Sequence, residues 1–335
     1  MPTPKLPRQL RKIADRNLLA NIENGLVKVE EELLEATAHT DPIAKVTARH
    51  LVDAGGKRIR PVLVLLAAQL GDHTKQEVID AAVVVELTHL ATLYHDDVMD
   101  EAPTRRGVPT AHTRWGNSVA ILTGDLLFAR ASKVGVNLGT RALELQAETF
   151  ERLCIGQLHE TVGPQDGEDE TAHYIRVLAD KTGSLIAASA QMGAIFADAP
   201  ASVLAPLAAY GEKIGVAFQL IDDVIDISAE GPSGKTPGTD LRAGVPTLPV
   251  LLLRQEAAHD ASAAALLARI DGDLSDDAVL ADVVAQLREH SVAEKAYLEA
   301  KRWADEAVDA IAELPEGAVK DALRKFAEAV VDRSN

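Results

Sequence analysis

Two segments of the chain gather carboxylates onto otherwise apolar stretches. The first, "LATLYHDDVMDEAPTRRG" (Leu90 to Gly107), sets three aspartates within five residues, behind His95 and ahead of Arg105 and Arg106. The second, "FQLIDDVIDIS" (Phe218 to Ser228), repeats the Asp-Asp-x-x-Asp spacing. On a helix Asp96 and Asp100 share a face, as do Asp222 and Asp226, and like charges at that spacing repel. A hard divalent cation removes the conflict. Carboxylate oxygens are the ligands Mg²⁺ prefers, and it usually binds through a few of them together with substrate phosphate oxygens and water. One pair alone reads as a solvated acidic face. A second pair, again continuing an apolar segment ("VAFQLI" as "LTHLATLY" before it), points instead into a cavity. The glycine and glutamate spacing of an EF-hand calcium loop is absent.

Cations accompany the aspartates. Lys57, Arg58 and Arg60 follow Gly55-Gly56, and Arg105-Arg106 lie just beyond Asp100. Arginine's planar fork suits phosphate oxygens. His89 stands seven residues before Asp96, two turns up the same helical face. Each of these has a plainer explanation: a satisfied core histidine, or loop arginines that only solubilise. The Gly-Lys pair is not a phosphate-binding Walker loop, whose spacing is missing.

The elements that must position these groups are helices. Helical periodicity predicts them near 8–38, 42–53, 59–70, 75–101, 117–136, 139–163, 170–192, 201–228, 246–258, 275–289, 291–313 and 316–332. Val83 to Val85 is β-branched, but the segment runs on to Asp100 without a breaker and reads as buried helix. Alternation of period two is confined to a few residues at a time. No Pro/Ser-rich linker divides the chain, so a single all-α domain over 1–335 is expected. Loops 53–61, 101–112 and 230–249 are rich in glycine and proline and follow charged helix ends, as lids or phosphate-contacting turns do.

Composition narrows the partners. With 335 residues, 47% of them hydrophobic, the chain can bury a large core, and with only 3% aromatics it favours helix. A net charge of −17 disfavours duplex nucleic acid and anionic membrane surfaces. The single cysteine, Cys154, excludes an internal disulfide and fits a reducing compartment. No apolar N-terminal segment and no run of eighteen apolar residues stands out, so a cytoplasmic protein is expected.

Taken in order, "GGKRIRP", "HDDVMDEAPTRRG", "KTGSLI", "FQLIDDVID" and "GKTPGTDLRAGVPTLP" resemble the motifs of the trans-isoprenyl diphosphate synthases, or polyprenyl synthetases, over roughly residues 50 to 255. The resemblance implies an isoprenoid-synthase helical bundle around a central cavity, active as a homodimer. It implies condensation of isopentenyl diphosphate with an allylic diphosphate. It also implies that Asp96, Asp100 and Asp222 are the main Mg²⁺ ligands, supported by Asp97, Asp223 and Asp226. Lys57, Arg60, His89 and Arg106 would bind isopentenyl diphosphate. Arg105, Lys181 and Lys235 would clamp the allylic diphosphate, and Thr182 and Gln219 would face the reacting carbons. The chain departs from the family at Val245, where a lysine is frequent.

In this family the residues four and five before the first aspartate help to set the floor of the product channel. Here they are Thr92 and Ala91, small enough to leave it open. The resemblance is therefore to long-chain synthases of the heptaprenyl to decaprenyl class, which supply quinone side chains, and such a product implies transient membrane contact on release. A geranylgeranyl product and a non-catalytic partner subunit of a heteromeric synthase remain alternatives. A terpene cyclase would carry an Asn/Ser/Glu-type second motif instead.

Overall fold

The computed structural model describes residues 15–228 and 237–332. Sixteen α-helices follow in chain order among them. They are α1 (Arg16–Ala36), α2 (Pro42–Asp53), α3 (Ile59–Ala67), α4 (Gln76–Met99), α5 (Ala111–Trp115), α6 (Asn117–Leu138), α7 (Thr140–Val162) and α8 (Glu170–Leu178). The rest are α9 (Ser184–Phe196), α10 (Leu204–Asp226), α11 (Thr239–Arg242), α12 (Leu248–Ala257), α13 (Ala261–Ile270), α14 (Asp277–Glu289), α15 (Ser291–Ala310) and α16 (Ala318–Val331). The strands β1 (Thr104–Arg105) and β2 (Val108–Pro109) form a minimal antiparallel hairpin. The all-α expectation holds.

The helices gather into two compact units, each assembled from three stretches of chain. In the first (1–150, 185–211 and 313–325), α4 is the central element. It is apolar on nearly every side, as a helix surrounded by protein must be, and it buries Val83, Val84, Val85, Leu87, Leu90 and Tyr94. By length and hydropathy α4 could also cross a membrane, but 72% of its most apolar window is buried inside the protein, as in a core helix. Helices α3 and α6 pack along it. Tyr94 donates its hydroxyl to the Thr47 carbonyl and so ties α4 to α2.

The second unit (151–184, 212–312 and 326–335) has its own core, in which Ile227, Val250, Leu253, Leu266, Val283 and Leu287 meet from α12, α13, α14 and the end of α10. Helix α13 was not among the expected elements. Its signals are modest but present: Asp260 accepts from the Ser262 N–H at 2.8 Å as an N-cap, and Ala263, Leu266 and Ile270 are buried at helical spacing.

The predicted helix over 170–192 runs four residues further and is not uniform. Between α8 and α9 the backbone widens to a π-turn at Ala179–Gly183, which carries Lys181 and Thr182. Such turns cluster at functional sites because the extra residue re-aims its neighbours.

Candidate active site

In the first unit the basic residues converge beneath the glycine loop. Gly55 and Gly56 adopt φ of 81° and 154°. A Cβ on Gly56 would lie 2.9 Å from Arg106 Cζ, so only glycine leaves room for that guanidinium. Arg106 and Gly107 form the turn of the hairpin at φ 54° and 78°, both left-handed, as a type I′ connection requires. The turn sends the Arg106 side chain back to α2, where Nη1 donates to the carbonyls of Leu51 (2.9 Å) and Gly55.

Glu86 lies at the centre of this cluster, 1% exposed within α4. It accepts from Arg58 Nη1 at 2.7 Å and lies 3.9 Å from Arg106 Nη2. Arg58 is itself buried and also paired with Glu30, so this member of the basic run braces the fold. Arg60 differs. Its Nε is buried without a hydrogen-bond partner, and burial pushes its pKa down to about 10 despite the attraction of Glu86 and Asp96, so it remains a cation at neutral pH. His89 is driven well below its ordinary pKa, first by burial and then by Arg60, Arg106, Arg105 and Arg58, and so is neutral. Lys57 is exposed in the same loop. Arg60, His89 and Arg106 thus share one electropositive region in which Arg60 keeps a buried donor, while Lys57 lies exposed in the preceding loop.

The first aspartate motif occupies the last turn of α4. Asp100 closes that turn, its N–H donating to the Asp96 carbonyl at 2.8 Å. Asp96 is half-buried and Asp100 exposed. Asp97 is fully buried and takes Arg105 at 2.6 Å, while its other oxygen has no partner. Burial raises the Asp97 pKa against the pull of Arg105. Arg105 is therefore oriented by the motif it follows.

Thr92 is half-buried one turn before Asp96, whereas Ala91 is wholly buried in the core. Of the two positions expected to govern product length, Thr92 is the one on the aspartate face.

In the second unit the three aspartates diverge. Asp226 accepts from the N–H and hydroxyl of Thr239 (3.2 and 2.7 Å) and from the Asp240 N–H (3.2 Å), capping α11. Asp223, 6% exposed, accepts from the Tyr174 hydroxyl at 2.8 Å and the Leu248 N–H at 3.2 Å. Burial pushes its pKa up to about 7 against those two donors. Asp222 is half-buried, as is Gln219 one turn earlier. Lys181 in the π-turn donates to Glu160, and Thr182 beside it is half-buried. Two glycines permit this packing: a Cβ on Gly156 would sit 2.8 Å from the Lys181 nitrogen, and one on Gly183 2.9 Å from the Glu212 carbonyl. Lys235 lies outside the described residues. Val245 is exposed.

Among the described residues no three His, Cys, Asp or Glu side chains cluster tightly enough to cage a metal by themselves. The donors nevertheless suit a hard cation that keeps much of its shell for substrate and water: all are carboxylates, they stand on helix ends, and Asp97 retains a buried unpartnered oxygen. Three residues with parts to play were not singled out by sequence. Glu86 gave no signal as an isolated acid within the apolar α4, nor did Tyr174 as a single phenol in the mixed-polarity α8, and Gly156 is one glycine among many.

The family model described as Polyprenyl synthetase matches residues 41–287. A nonaprenyl diphosphate synthase of Mycobacterium tuberculosis is 39% identical over 96% of each chain. Among solved structures, a geranylgeranyl pyrophosphate synthase from Corynebacterium glutamicum, complexed with calcium and isoprenyl diphosphate, superposes with a TM-score of 0.86 at 43% identity, over 96% of this chain and 99% of its own. A decaprenyl diphosphate synthase from Rhodobacter capsulatus gives 0.85 at 33% identity, over 95% and 99%.

Proposed function

The chain belongs to the polyprenyl synthetase family and is a prenyltransferase, and on that premise we propose that it elongates an allylic diphosphate with isopentenyl diphosphate into an all-trans chain of heptaprenyl to decaprenyl length. The observation that carries this is the arginine cluster around Glu86, where Arg60 keeps a buried donor that a diphosphate oxygen would satisfy. Lys57, Arg60 and Arg106 would grip the isopentenyl diphosphate, and neutral His89 would donate a single hydrogen bond without adding charge.

Asp96, Asp100 and Asp222 would hold Mg²⁺, which when bound draws off the charge of the departing diphosphate. Arg105, oriented by Asp97, and Lys181 and Lys235 would clamp the same group. In the reaction the allylic C–O bond breaks and its electron pair leaves with the diphosphate. The isopentenyl double bond then attacks the allylic carbon, and a proton is lost to regenerate an alkene. The oxygens of Thr182 and Gln219 would face the cation while apolar walls exclude water. The released pyrophosphate is a sufficient proton acceptor, so no dedicated base is required.

A homodimer would cover apolar side chains that each unit leaves exposed, Leu122 and Val136 on α6 and Leu158 and Val162 on α7. A cytoplasmic location fits the charge and the lone cysteine, with membrane contact only when a long product is released. A geranylgeranyl product is the second reading, favoured by the likeness to the Corynebacterium glutamicum enzyme. Asp96→Asn and Asp222→Asn test the assignment in an elongation assay. Each is expected to lower turnover by about 100-fold or more, as loss of a charge-stabilising group does, and excess Mg²⁺ should restore part of it. Full activity in either variant would refute the assigned ligands.

A further inference from the structure

After α8 the Ser184 N–H bonds to the carbonyl of Ala179, five residues back, and so closes the π-turn. Turns of this kind are rare, so the packing around one must favour it over ordinary α-register. Arg152 on α7 grips this turn from outside. Its Nε lies 2.7 Å from Oδ1 of Asp180, within the turn, and its Nη1 lies 2.7 Å from Oε2 of Glu212 on α10. Burial opposes the charge of Arg152, but its bonds to Asp180 and Glu212 outweigh that and raise its pKa. The Ser184 hydroxyl adds a bond to the Asp180 carbonyl at 2.5 Å. Further along α7, a Cβ on Gly156 would lie 2.8 Å from the Lys181 nitrogen and 3.0 Å from the Asp180 Cβ, and Glu160 accepts from the Lys181 ammonium. Arg152, Gly156 and Glu160 recur every four residues, so one face of α7 follows the turn from Asp180 to Lys181.

We propose that Arg152 is a positioning residue of the prenyl transfer: by tying Asp180 to Glu212 it holds the π-turn in its wide register and so sets the direction in which Lys181 and Thr182 project. The inference rests on the function proposed above. Its physical basis is the extra residue that a π-turn accommodates. Were the turn to revert to α-register, its side chains would move by one helical position, about 100° around the axis. The guanidinium fork suits this task because it reaches two carboxylates at once. Half-exposed ion pairs are individually weak, but here they bias a choice between two registers of one helix, so their loss shifts a population without unfolding the protein.

The test is Arg152→Gln in the full-length protein, which keeps a polar side chain and removes the charge and the fork. Hydrogen exchange reads the turn independently of turnover. The amides of residues 179–184 should exchange about 3- to 10-fold faster, the scale of two weak ion pairs, while those of α12 and α14 keep their wild-type rates. In steady state the KM for the allylic diphosphate should rise by a similar factor. The KM for isopentenyl diphosphate and the melting temperature should stay close to the wild type. Arg152→Lys, a point charge without the fork, should recover part of the loss. Adding Asp180→Asn to Arg152→Gln should cost little beyond the single change, since both break the same bridge.

Unchanged exchange across 179–184 in Arg152→Gln, with the wild type elongating normally, would overturn the positioning role and leave the function standing. So would an equal rise in both KM values, which means general loosening, or strict additivity in the double variant. A wild type that elongates no allylic primer would overturn the function and the positioning role with it.

Discussion

The three aspartates of each motif look equivalent in sequence and are not equivalent in the protein. In both copies the second aspartate is buried and bonded to the protein: Asp97 through one oxygen to Arg105, Asp223 to Tyr174 and the Leu248 N–H. The first stands half-buried on the neighbouring face, 100° around the helix. The repeated doublet thus sets one buried, protein-bonded carboxylate beside one half-buried neighbour. A similar division separates Arg58, which braces α1 and α4, from Arg60, whose donor is unsatisfied.

His89 gives this chemistry a pH signature. Its folded pKa lies below the ordinary histidine value, so below about pH 6.5 the unfolded chain binds a proton that the folded one refuses. Stability is therefore complete above that pH and falls on acidification, with a limiting slope of about 1.4 kcal/mol per pH unit for one proton. Denaturant midpoints from pH 7.5 to 5 should show His89→Gln losing less stability than the wild type over that interval. Parallel curves would contradict the burial of His89 among arginines.

The helices that carry the site were legible because long apolar periodicity without a breaker has few other readings. The last turn of α4 and the end of α10 fall where the spacing of Leu87, Leu90 and Tyr94 and of Leu220 and Ile221 puts them. Local departures from regular helix were not legible. The π-turn at Lys181–Thr182 depends on how closely Gly156 and Gly183 let other backbone approach, which is a packing property. The hairpin at Arg105–Arg106 is two residues a side, too short for an alternating pattern, and only Gly107 hints at its turn. The basic loop and both aspartate runs were recognisable by residue type, but the partners Glu86 and Tyr174 were not, because a single buried polar residue has no period.

Helix α4 also separates the two positions expected to govern chain length. Ala91 faces the core and Thr92 the aspartate side, with its hydroxyl bonded to the His89 carbonyl at 2.8 Å. Thr92→Phe should shorten the main product while leaving the Mg²⁺ requirement unchanged, as read by chromatography of the dephosphorylated chains. An unaltered product distribution would place the stop elsewhere, whereas Ala91→Phe would chiefly overpack the core.

The molecule as a whole is strongly acidic and yet is proposed to bind two diphosphates. The charge is reconciled locally: arginines gather around one buried glutamate, and a divalent cation would offset the carboxylates at the helix ends. Each compact unit carries one aspartate motif, with the arginine cluster in the first and the π-turn in the second. The chain's likeness to a nonaprenyl and to a geranylgeranyl synthase makes product length the sharpest open quantity.

The most direct test is therefore the product of the purified wild-type protein given Mg²⁺, labelled isopentenyl diphosphate and farnesyl diphosphate. The account predicts Mg²⁺-dependent chains longer than geranylgeranyl, abolished by chelator. A product that stops at geranylgeranyl would contradict the open floor at Thr92, and the absence of any elongation with every allylic primer would contradict the catalytic assignment itself.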